Sequence, residues 1–250
     1  MLLEIDRAAV DGRVAPFSAR VSSGQLIHLL GPNGAGKSTL LALLSGLLPG
    51  SGGIQFLGQP LNSWRGQQLA RQRGWLHQQQ LPPGMMAVHH YLQLHLQYAD
   101  RPCDSTLAQI TGELQLEDKL ARPLNQLSGG EWQRVRLAAV LLQIHPVVNS
   151  HGRLLLLDEP MAGLDVAQQV ALDRLLTLLC RAGLTVLMSG HDLNHSLHHA
   201  QQVWLMQRGE VVAQGDAEQV LQPTILEPVY GVPFRKLSVE GQQILTTFVD

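Results

Sequence analysis

The segment at residues 31–39 constrains the fold of this chain more than any other. It reads GPNGAGKST and follows residues 25–30, a largely apolar run typical of a buried strand. An apolar helical pattern begins at Lys37 and extends to residue 48. Glycines between a strand and a helix let successive backbone N–H groups point at one anion, and the helix dipole adds positive potential. The segment therefore predicts a phosphate-binding loop in an α/β fold.

The residue types in this loop suit a nucleotide. Lys37, one of only three lysines in the chain, is a mobile charge for the β- and γ-phosphates, and Ser38 offers a hard oxygen to Mg²⁺. The alternative is a glycine-rich turn that only caps a helix, but the full G-x-x-x-x-G-K-[ST] pattern in this setting favours a nucleotide site. The predicted nucleotide-binding residues are Gly31, Pro32, Asn33, Gly34, Ala35, Gly36, Lys37, Ser38 and Thr39.

Two further apolar runs end in residues that can carry chemistry. Residues 154–157 precede Asp158 and Glu159, and residues 184–188 come shortly before His191. Short apolar runs separated by helices predict parallel strands, whose carboxyl ends meet at one ligand site. We expect Asp158 to hold Mg²⁺ and Glu159 to orient or deprotonate a water that attacks the γ-phosphate. His191 would contact the γ-phosphate or hold that water; the alternatives are acids that start a loop and a histidine that caps a strand.

The remaining chain divides by its periodicity. Residues 79–149 show mainly helical patterns, at 88–98, 105–113 and 128–143, which predict a helical subdomain. We therefore predict a single domain over residues 1–250, with an α/β core in 1–78 and 150–250 and the helical subdomain in 79–149. An antiparallel edge is expected from the segment before residue 22 and from residues 53–58. After His191 the patterns predict one helix, a hairpin at 208–210 and a short tail.

Composition excludes several classes of protein. Lys+Arg total 18 against Asp+Glu 20, and the net charge of −2 opposes a nucleic-acid partner. The longest apolar stretch, residues 40–48, is far below the roughly 20 residues that span a bilayer. Two cysteines do not make a disulfide framework. These features predict a soluble cytoplasmic protein. The histidines at 195, 198 and 199 recur at helical spacing and are interpreted as a solvated helix face rather than a metal site.

A second glycine motif occurs at residues 127–131, which read LSGGE and precede a helical pattern. Ser128 and Glu131 fit a capping box at a helix N-terminus. A capping box does not need the two glycines between them, whereas exposed N–H groups at Ser128, Gly129 and Gly130 form another phosphate cradle. One ATP does not fill two cradles on separate subdomains. A head-to-tail pair of chains does, with each segment closing over the nucleotide of the other chain.

Together these motifs resemble the ATP-binding cassette (ABC) ATPases over nearly the whole chain. In that family residues 31–39 correspond to Walker A, 154–158 to Walker B, 127–131 to the signature and 162–165 to the D-loop. The glutamine loop follows a strand such as residues 74–77, which makes Gln78 the matching residue; Gln79 and Gln80 are its neighbouring alternatives. The resemblance implies a P-loop NTPase (RecA-like) fold: a mostly parallel sheet, an antiparallel β edge subdomain and an inserted helical subdomain.

The resemblance also implies roles and cofactors. ATP and Mg²⁺ are the expected cofactors, and Gln78 is expected to bind nucleotide as well as metal. The implied catalytic residues are Glu159 and His191, the Mg²⁺ ligands are Ser38, Gln78 and Asp158, and the signature residues acting in trans are Ser128, Gly129, Gly130 and Glu131.

One position departs from the family pattern. Many members carry an aromatic residue near the N-terminus that stacks on adenine, but no aromatic residue precedes Phe17 in this chain. Phe17 is interpreted as a core residue of an edge strand. We therefore expect Val10 or Arg13 to contact the adenine.

Several segments resemble importers of metal chelates and vitamins, and most of all the ATP-binding subunits of vitamin B12 importers. This resemblance implies a homodimer at the cytoplasmic face of the cell (inner) membrane, bound peripherally to an integral membrane permease dimer and served indirectly by a periplasmic or extracellular solute-binding protein. The alternatives are the ATPase of an iron–siderophore or haem importer, a soluble ABC ATPase outside transport, and a nucleotide-binding module without turnover, which Glu159 opposes. Residues 203–215 carry the resemblance to importers of metal chelates and vitamins, and residues 131–138, 144–152 and 158–161 carry the resemblance to vitamin B12 importers.

Overall fold

The computed structural model describes residues 1–78 and 80–248. Its strands are β1 Leu3–Val10, β2 Val14–Val21, β3 Leu26–Leu30, β4 Ser51–Phe56, β5 Gln59–Pro60, β6 Arg73–Leu76, β7 Leu154–Leu157, β8 Thr185–Ser189, β9 Gln202–Gln207, β10 Glu210–Asp216, β11 Phe234–Val239 and β12 Gln242–Thr247. Its α-helices are α1 Lys37–Leu44, α2 Gly66–Gln72, α3 Val88–His95, α4 Asp104–Glu113, α5 Gly129–Ile144, α6 Val166–Arg181, α7 Leu193–His199, α8 Ala217–Val220 and α9 Pro223–Tyr230.

The chain forms two compact units. Unit 1 contains residues 1–62 and the chain from residue 187 onward, and unit 2 contains residues 63–186. The division at residues 79 and 149 expected from the sequence stays a prediction. Within the described residues, no helix combines the length and the apolar character needed to cross a bilayer.

Unit 1 contains an antiparallel sheet and a parallel pair of strands with an antiparallel neighbour. Strand β1 pairs antiparallel with both β2 and β4, and β5 pairs with β4. Strand β3 pairs parallel with β9, and β10 returns antiparallel along β9. All five residues of β3 are buried, as expected for a parallel strand covered on both faces. These pairings confirm the predicted combination of parallel strands with an antiparallel edge.

Unit 2 holds a parallel pair packed closely against a helix. Strand β6 runs parallel to β7, with Leu76 opposite Leu157. A Cβ on Gly74 would lie 2.9 Å from the Val140 side chain and 3.2 Å from that of Ile144, both on α5. The absence of a side chain at this position therefore lets α5 approach the strand closely. Helices α3, α4 and α5 lie in the stretch predicted to be helical.

Several predicted element boundaries were wrong. Helix α1 ends at Leu44 rather than at residue 48, because Gly46 takes a left-handed conformation (φ 74°) that ends the helix. Helix α2 was not predicted. The predicted short tail instead folds into α8, α9 and the β11–β12 hairpin. Its apolar side chains complete a core with β3 and β9 through Val203, Leu226, Phe234 and Leu245.

A buried histidine lies in the middle of β3. The Nδ1 atom of His28 is 2.9 Å from the Ser196 hydroxyl, and its ring stacks on His195, with the ring centres 5.4 Å apart. His195 in turn stacks on His199 at 4.7 Å. His195 is therefore half-buried rather than fully solvated, whereas His198 and His199 are exposed as predicted. Burial, with smaller effects of His195 and His199, lowers the pKa of His28 from 6.5 to about 3.

This pKa shift predicts acid sensitivity. The unfolded chain protonates His28 near pH 6.5, whereas the folded chain does so only near pH 3, so the free energy of unfolding falls as the pH falls between these values. We expect His28→Leu to remove about 1 kcal/mol of the loss in unfolding free energy between pH 6 and pH 5. Urea unfolding at both pH values measures this difference. The exposed His198 provides the control: His198→Gln should keep the native pH dependence, and an unchanged dependence in His28→Leu would refute the assignment.

Candidate nucleotide-binding and catalytic site

The phosphate loop of unit 1 depends on glycine at its first position. Gly31 has φ 144°, and a Cβ there would lie 2.1 Å from the Met206 carbonyl oxygen on β9. Gly34 and Gly36 also have positive φ angles, of 77° and 102°. Any other residue at position 31 would force the loop away from β9. This backbone path is therefore possible only with glycine at this position.

The loop is held further by one hydrogen bond within it and one from the turn between β9 and β10. The Ala35 amide donates to the Pro32 carbonyl at 3.1 Å, and the Gly209 amide donates to the Ala35 carbonyl at 2.9 Å. Asn33 and Gly34 are exposed at the tip of the loop. The turn between β9 and β10 therefore supports the loop from one side while its tip faces solvent.

Lys37 lies at the start of α1 with 7% of its surface exposed. Its ammonium donates to the Gly31 carbonyl at 2.7 Å and to the Pro32 carbonyl at 3.1 Å. A buried ammonium is stable only with such partners, which hold the charge at the loop. Ser38 is exposed and Thr39 half-buried in the first helical turn, where the backbone N–H groups have no partners within the helix. All nine predicted loop residues thus lie at one end of α1.

A cleft of about 560 Å³ runs along the turn between β1 and β2. Val10, Arg13 and Arg208 line it, and none of the described residues that line it is aromatic. The Arg13 carbonyl lies 3.1 Å from the point where a Gly36 Cβ would be, so this turn reaches the phosphate loop. Phe17 is buried and its ring lies 5.1 Å from that of Trp204, which confirms it as a core residue.

His191 follows β8 in unit 1 and is exposed. The preceding Gly190 amide donates to the Leu29 carbonyl of β3 at 3.1 Å. The next residue, Asp192, caps α7 by accepting from the His195 amide at 2.9 Å. His191 therefore lies between the end of a strand and a capped helix, and its catalytic role stays a prediction.

In unit 2, Asp158 follows four fully buried leucines. Its amide donates to the Leu76 carbonyl at 2.9 Å, and the residue is 1% exposed. An ionised carboxylate in such a position is costly without a compensating positive charge. Asp158 and the exposed Ser38 hydroxyl offer the hard oxygen ligands that Mg²⁺ prefers, so these donor types fit the ion.

Glu159 and Gln78 meet in this unit. The Gln78 amide Nε2 donates to Glu159 Oε2 at 2.9 Å. Glu159 has φ 50°, a left-handed conformation that costs a non-glycine residue about 1 kcal/mol or more. This strained residue lies two positions after the end of β7, and its carboxylate meets the loop that begins at His77 after β6. Of the alternatives to Gln78, Gln79 lies outside the described residues.

The signature residues form the N-terminus of α5. The Ser128 hydroxyl accepts from the Glu131 amide at 3.2 Å, and Glu131 accepts from the Ser128 amide at 2.8 Å, which confirms the capping box. Ser128 and Gly129 are exposed. Hydrogen bonding from the Ser128 backbone, helped by Lys119, lowers the pKa of Glu131. The helix end is thus stable on its own: the Ser128 and Glu131 amides are hydrogen-bonded within the capping box, and the exposed Gly129 lies between them.

The second signature glycine touches the D-loop of the same chain. A Cβ on Gly130 would lie 3.0 Å from the Gly163 carbonyl oxygen, and Gly163 itself has φ 75°. Asp165, at the end of this loop, caps α6 by accepting from the Gln168 amide at 2.9 Å. Two glycines in contact therefore place the signature and the D-loop side by side.

Arg136 had no predicted role, and the residue is buried in α5 with 4% of its surface exposed. It donates to the carbonyls of His77 and Gln78, next to the Glu159 contact. The sequence feature that could have revealed this role is an arginine within the otherwise apolar helical stretch 135–142. A buried guanidinium there needs hydrogen-bond acceptors in the protein interior.

Comparisons with known proteins decide the family. The sequence profile described as ABC transporter matches residues 14–162, more than half of the chain. This chain belongs to the ABC transporter family. It is 51% identical over 249 residues to the vitamin B12 import ATP-binding protein BtuD of Escherichia coli O45:K1 (strain S88 / ExPEC) and to that of Escherichia coli O139:H28 (strain E24377A / ETEC). Each alignment covers 100% of this chain and 99% of the relative.

Solved structures agree on the fold. An ATP-binding subunit of an ABC transporter superposes with a TM-score of 0.80 at 23% identity, covering 92% of this chain and 98% of that one. The protein cbiO1 of Clostridium perfringens, part of the ABC transporter complex cbiONQ, superposes with a TM-score of 0.71 at 24% identity, covering 91% and 93%. These ABC ATPase folds confirm the predicted fold class.

We expect the cleft at Arg13 to discriminate weakly between ATP and GTP, because a guanidinium stacks on either base and none of the described residues along the cleft is aromatic. Calorimetric titration should give dissociation constants within about tenfold of each other. Arg13→Ala should weaken both nucleotides to a similar degree. A preference for ATP above about a hundredfold would contradict this prediction.

Proposed function

We propose that this chain is the ATP-hydrolysing subunit of a bacterial importer that moves vitamin B12 through a separate membrane permease. The observation that carries the proposal is the 51% identity over essentially the full length of relatives named for vitamin B12 import. The glycine-dependent phosphate loop and the paired Gln78 and Glu159 supply the parts that hydrolysis needs. We also propose that residues 1–250 form a single ABC ATPase domain.

The phosphate loop would hold ATP through the N–H groups at the start of α1. In this proposal the Lys37 ammonium moves from its loop carbonyls to the β- and γ-phosphates. Ser38, Gln78 and Asp158 would hold Mg²⁺, which neutralises charge on the phosphate oxygens when bound. The buried carboxylate of Asp158 supports this role, because a cation would offset the cost of its burial.

Glu159 would act as the general base. Water attacks the γ-phosphorus, the bond to the ADP oxygen breaks, and the water proton passes to the Glu159 carboxylate. The Gln78 amide donates to one oxygen of that carboxylate, which orients the other oxygen. His191 would contact the γ-phosphate and help to place the water.

We propose that two copies of the chain assemble head to tail. Ser128, Gly129, Gly130 and Glu131 of one copy would then cover the nucleotide held by residues 31–39 of the other. The capped N-terminus of α5 supports this arrangement, because the amides of the exposed Gly129 and the half-buried Gly130 lie at the positive end of the helix dipole, which suits a phosphate. Contact between Gly130 and Gly163 would bring the D-loop to the same interface.

The assembled pair would lie at the cytoplasmic face of the inner membrane, bound peripherally to a permease dimer and served indirectly by a solute-binding protein outside the membrane. The segment after Gln78 supports a permease contact. Leu81 is 88% exposed and Met85 78% exposed, an apolar surface that water does not favour. Motion of Gln78 during the ATP cycle would reach the permease through this segment.

Glu159→Gln should bind ATP and form a stable dimer but hydrolyse ATP at least about a hundredfold more slowly, because the amide does not accept the water proton. Phosphate release measures turnover, and size-exclusion chromatography with ATP measures the dimer. Glu113→Gln, a substitution at an exposed position at the end of α4, is the matched control and should hydrolyse ATP at the native rate. Unchanged turnover in Glu159→Gln would show that another group is the base.

Uptake of labelled cobalamin in cells that lack this gene tests the transported solute. The native chain should restore uptake, and Glu159→Gln should not, because transport requires hydrolysis. If the deletion causes no uptake defect, or if the native chain does not restore uptake, the solute assignment fails. Uptake of iron–siderophore complexes is then the next test, and the ATPase assignment stands.

A further inference from the structure

We propose that Arg136 and Trp132 are positioning residues for catalysis: they fix the loop after β6 so that the Gln78 amide reaches Glu159. Neither residue touches nucleotide in this role. The inference rests on the proposed roles of Gln78 and Glu159, and it adds the groups through which the signature helix controls them.

The Arg136 side chain binds the main chain of the loop after β6. Its guanidinium is buried in α5 and donates through Nη2 to the His77 carbonyl and through Nη1 to the Gln78 carbonyl at 3.4 Å. Nη1 also donates to Gln133 Oε1 at 3.0 Å. A planar guanidinium that binds two consecutive carbonyls fixes both the position and the direction of that peptide. The Gln78 side chain leaves the same residue, so its reach toward Glu159 depends on this contact.

Trp132 lies one helical turn before Arg136 and binds the same loop two residues after Gln78. Its indole Nε1 donates to the Gln80 carbonyl at 2.6 Å. The ring is 6% exposed and lies 5.2 Å from the ring of Tyr91 on α3, so the donor has little freedom to turn. Carbonyls at 77, 78 and 80 therefore all accept from neighbouring turns of a single helix.

The same helix also reaches the segment that carries the catalytic carboxylate. The Gln133 amide Nε2 donates to the Pro160 carbonyl at 3.5 Å, directly after Glu159. Helix α5 thus contacts the main chain beside both members of the Gln78–Glu159 pair. Because α5 begins at the signature glycines, displacement of its N-terminus would shift the general base and the group that orients it together.

The test uses purified full-length chain and compares Arg136→Lys and Trp132→Phe in native and Gln78→Ala backgrounds. Lysine keeps the charge but does not bind two carbonyls in one plane, and phenylalanine keeps the ring but removes the indole donor. Arg134→Lys is the matched control, because Arg134 lies on the same helix and donates at 3.2 Å to the Leu114 carbonyl, away from the loop. The readouts are kcat and KM for ATP hydrolysis, with urea unfolding midpoints for each variant.

We expect Arg136→Lys and Trp132→Phe each to lower kcat by roughly tenfold, because loss of a buried hydrogen bond to the loop main chain misplaces the Gln78 amide during hydrolysis. The KM for ATP should stay within about twofold of native. In the Gln78→Ala background, either substitution should lower kcat by less than about twofold, because its effect passes through Gln78. Arg134→Lys should leave kcat unchanged in both backgrounds.

Equal losses of kcat in both backgrounds would overturn the inference, since the residues would then act without Gln78. Loss that follows the unfolding midpoint, or loss of the same size in Arg134→Lys, would also overturn it and indicate a purely structural role. If Arg136→Lys does not fold, Trp132→Phe decides the question alone. A Gln78→Ala variant with native turnover would refute the proposed role of Gln78 instead, while Glu159→Gln and the uptake assay test the proposed function independently.

Discussion

Buried ionisable groups, beside apolar strands or within a helix, hold the loops of this structure in place. Lys37 follows β3 after a short loop, Asp158 follows β7, and Arg136 lies inside α5, all with less than a tenth of their surface exposed. Charges in such positions are unstable without partners of fixed geometry. For Lys37 and Arg136 those partners include main-chain carbonyls, so the charge holds the backbone of the loop in place. The loop conformations at Lys37 and Arg136 thus follow from the need to offset the cost of removing these charges from water.

Local sequence patterns predicted much of the fold. The buried strands β3 and β7 are apolar throughout apart from His28, and the glycine spacing between β3 and α1 allows few other conformations. The capping box at Ser128 was likewise readable, because a helix N-terminus is determined by residues three positions apart. Each of these features depends on neighbours within a few residues.

Contacts between distant parts of the chain were not readable. Gln78 and Glu159 are 81 positions apart, and Arg136 and His77 are 59 apart, so no local pattern relates them. The C-terminal hairpin was missed for another reason. Strands β11 and β12 are mostly exposed and bury chiefly Phe234 and Leu245, which leaves almost no alternation of apolar and polar residues to detect.

The capping box has an evolutionary consequence. The same Ser128 hydroxyl and Glu131 side chain that stabilise α5 also shape the surface that we propose faces a phosphate. Glutamine completes a capping box as well as glutamate does, so folding tolerates either residue at position 131. The extra negative charge of glutamate is compensated locally, because Lys119 and Arg122 lie 3.5 and 3.8 Å from it. Drift at position 131 in related chains should therefore be coupled to the loss or gain of these two cations.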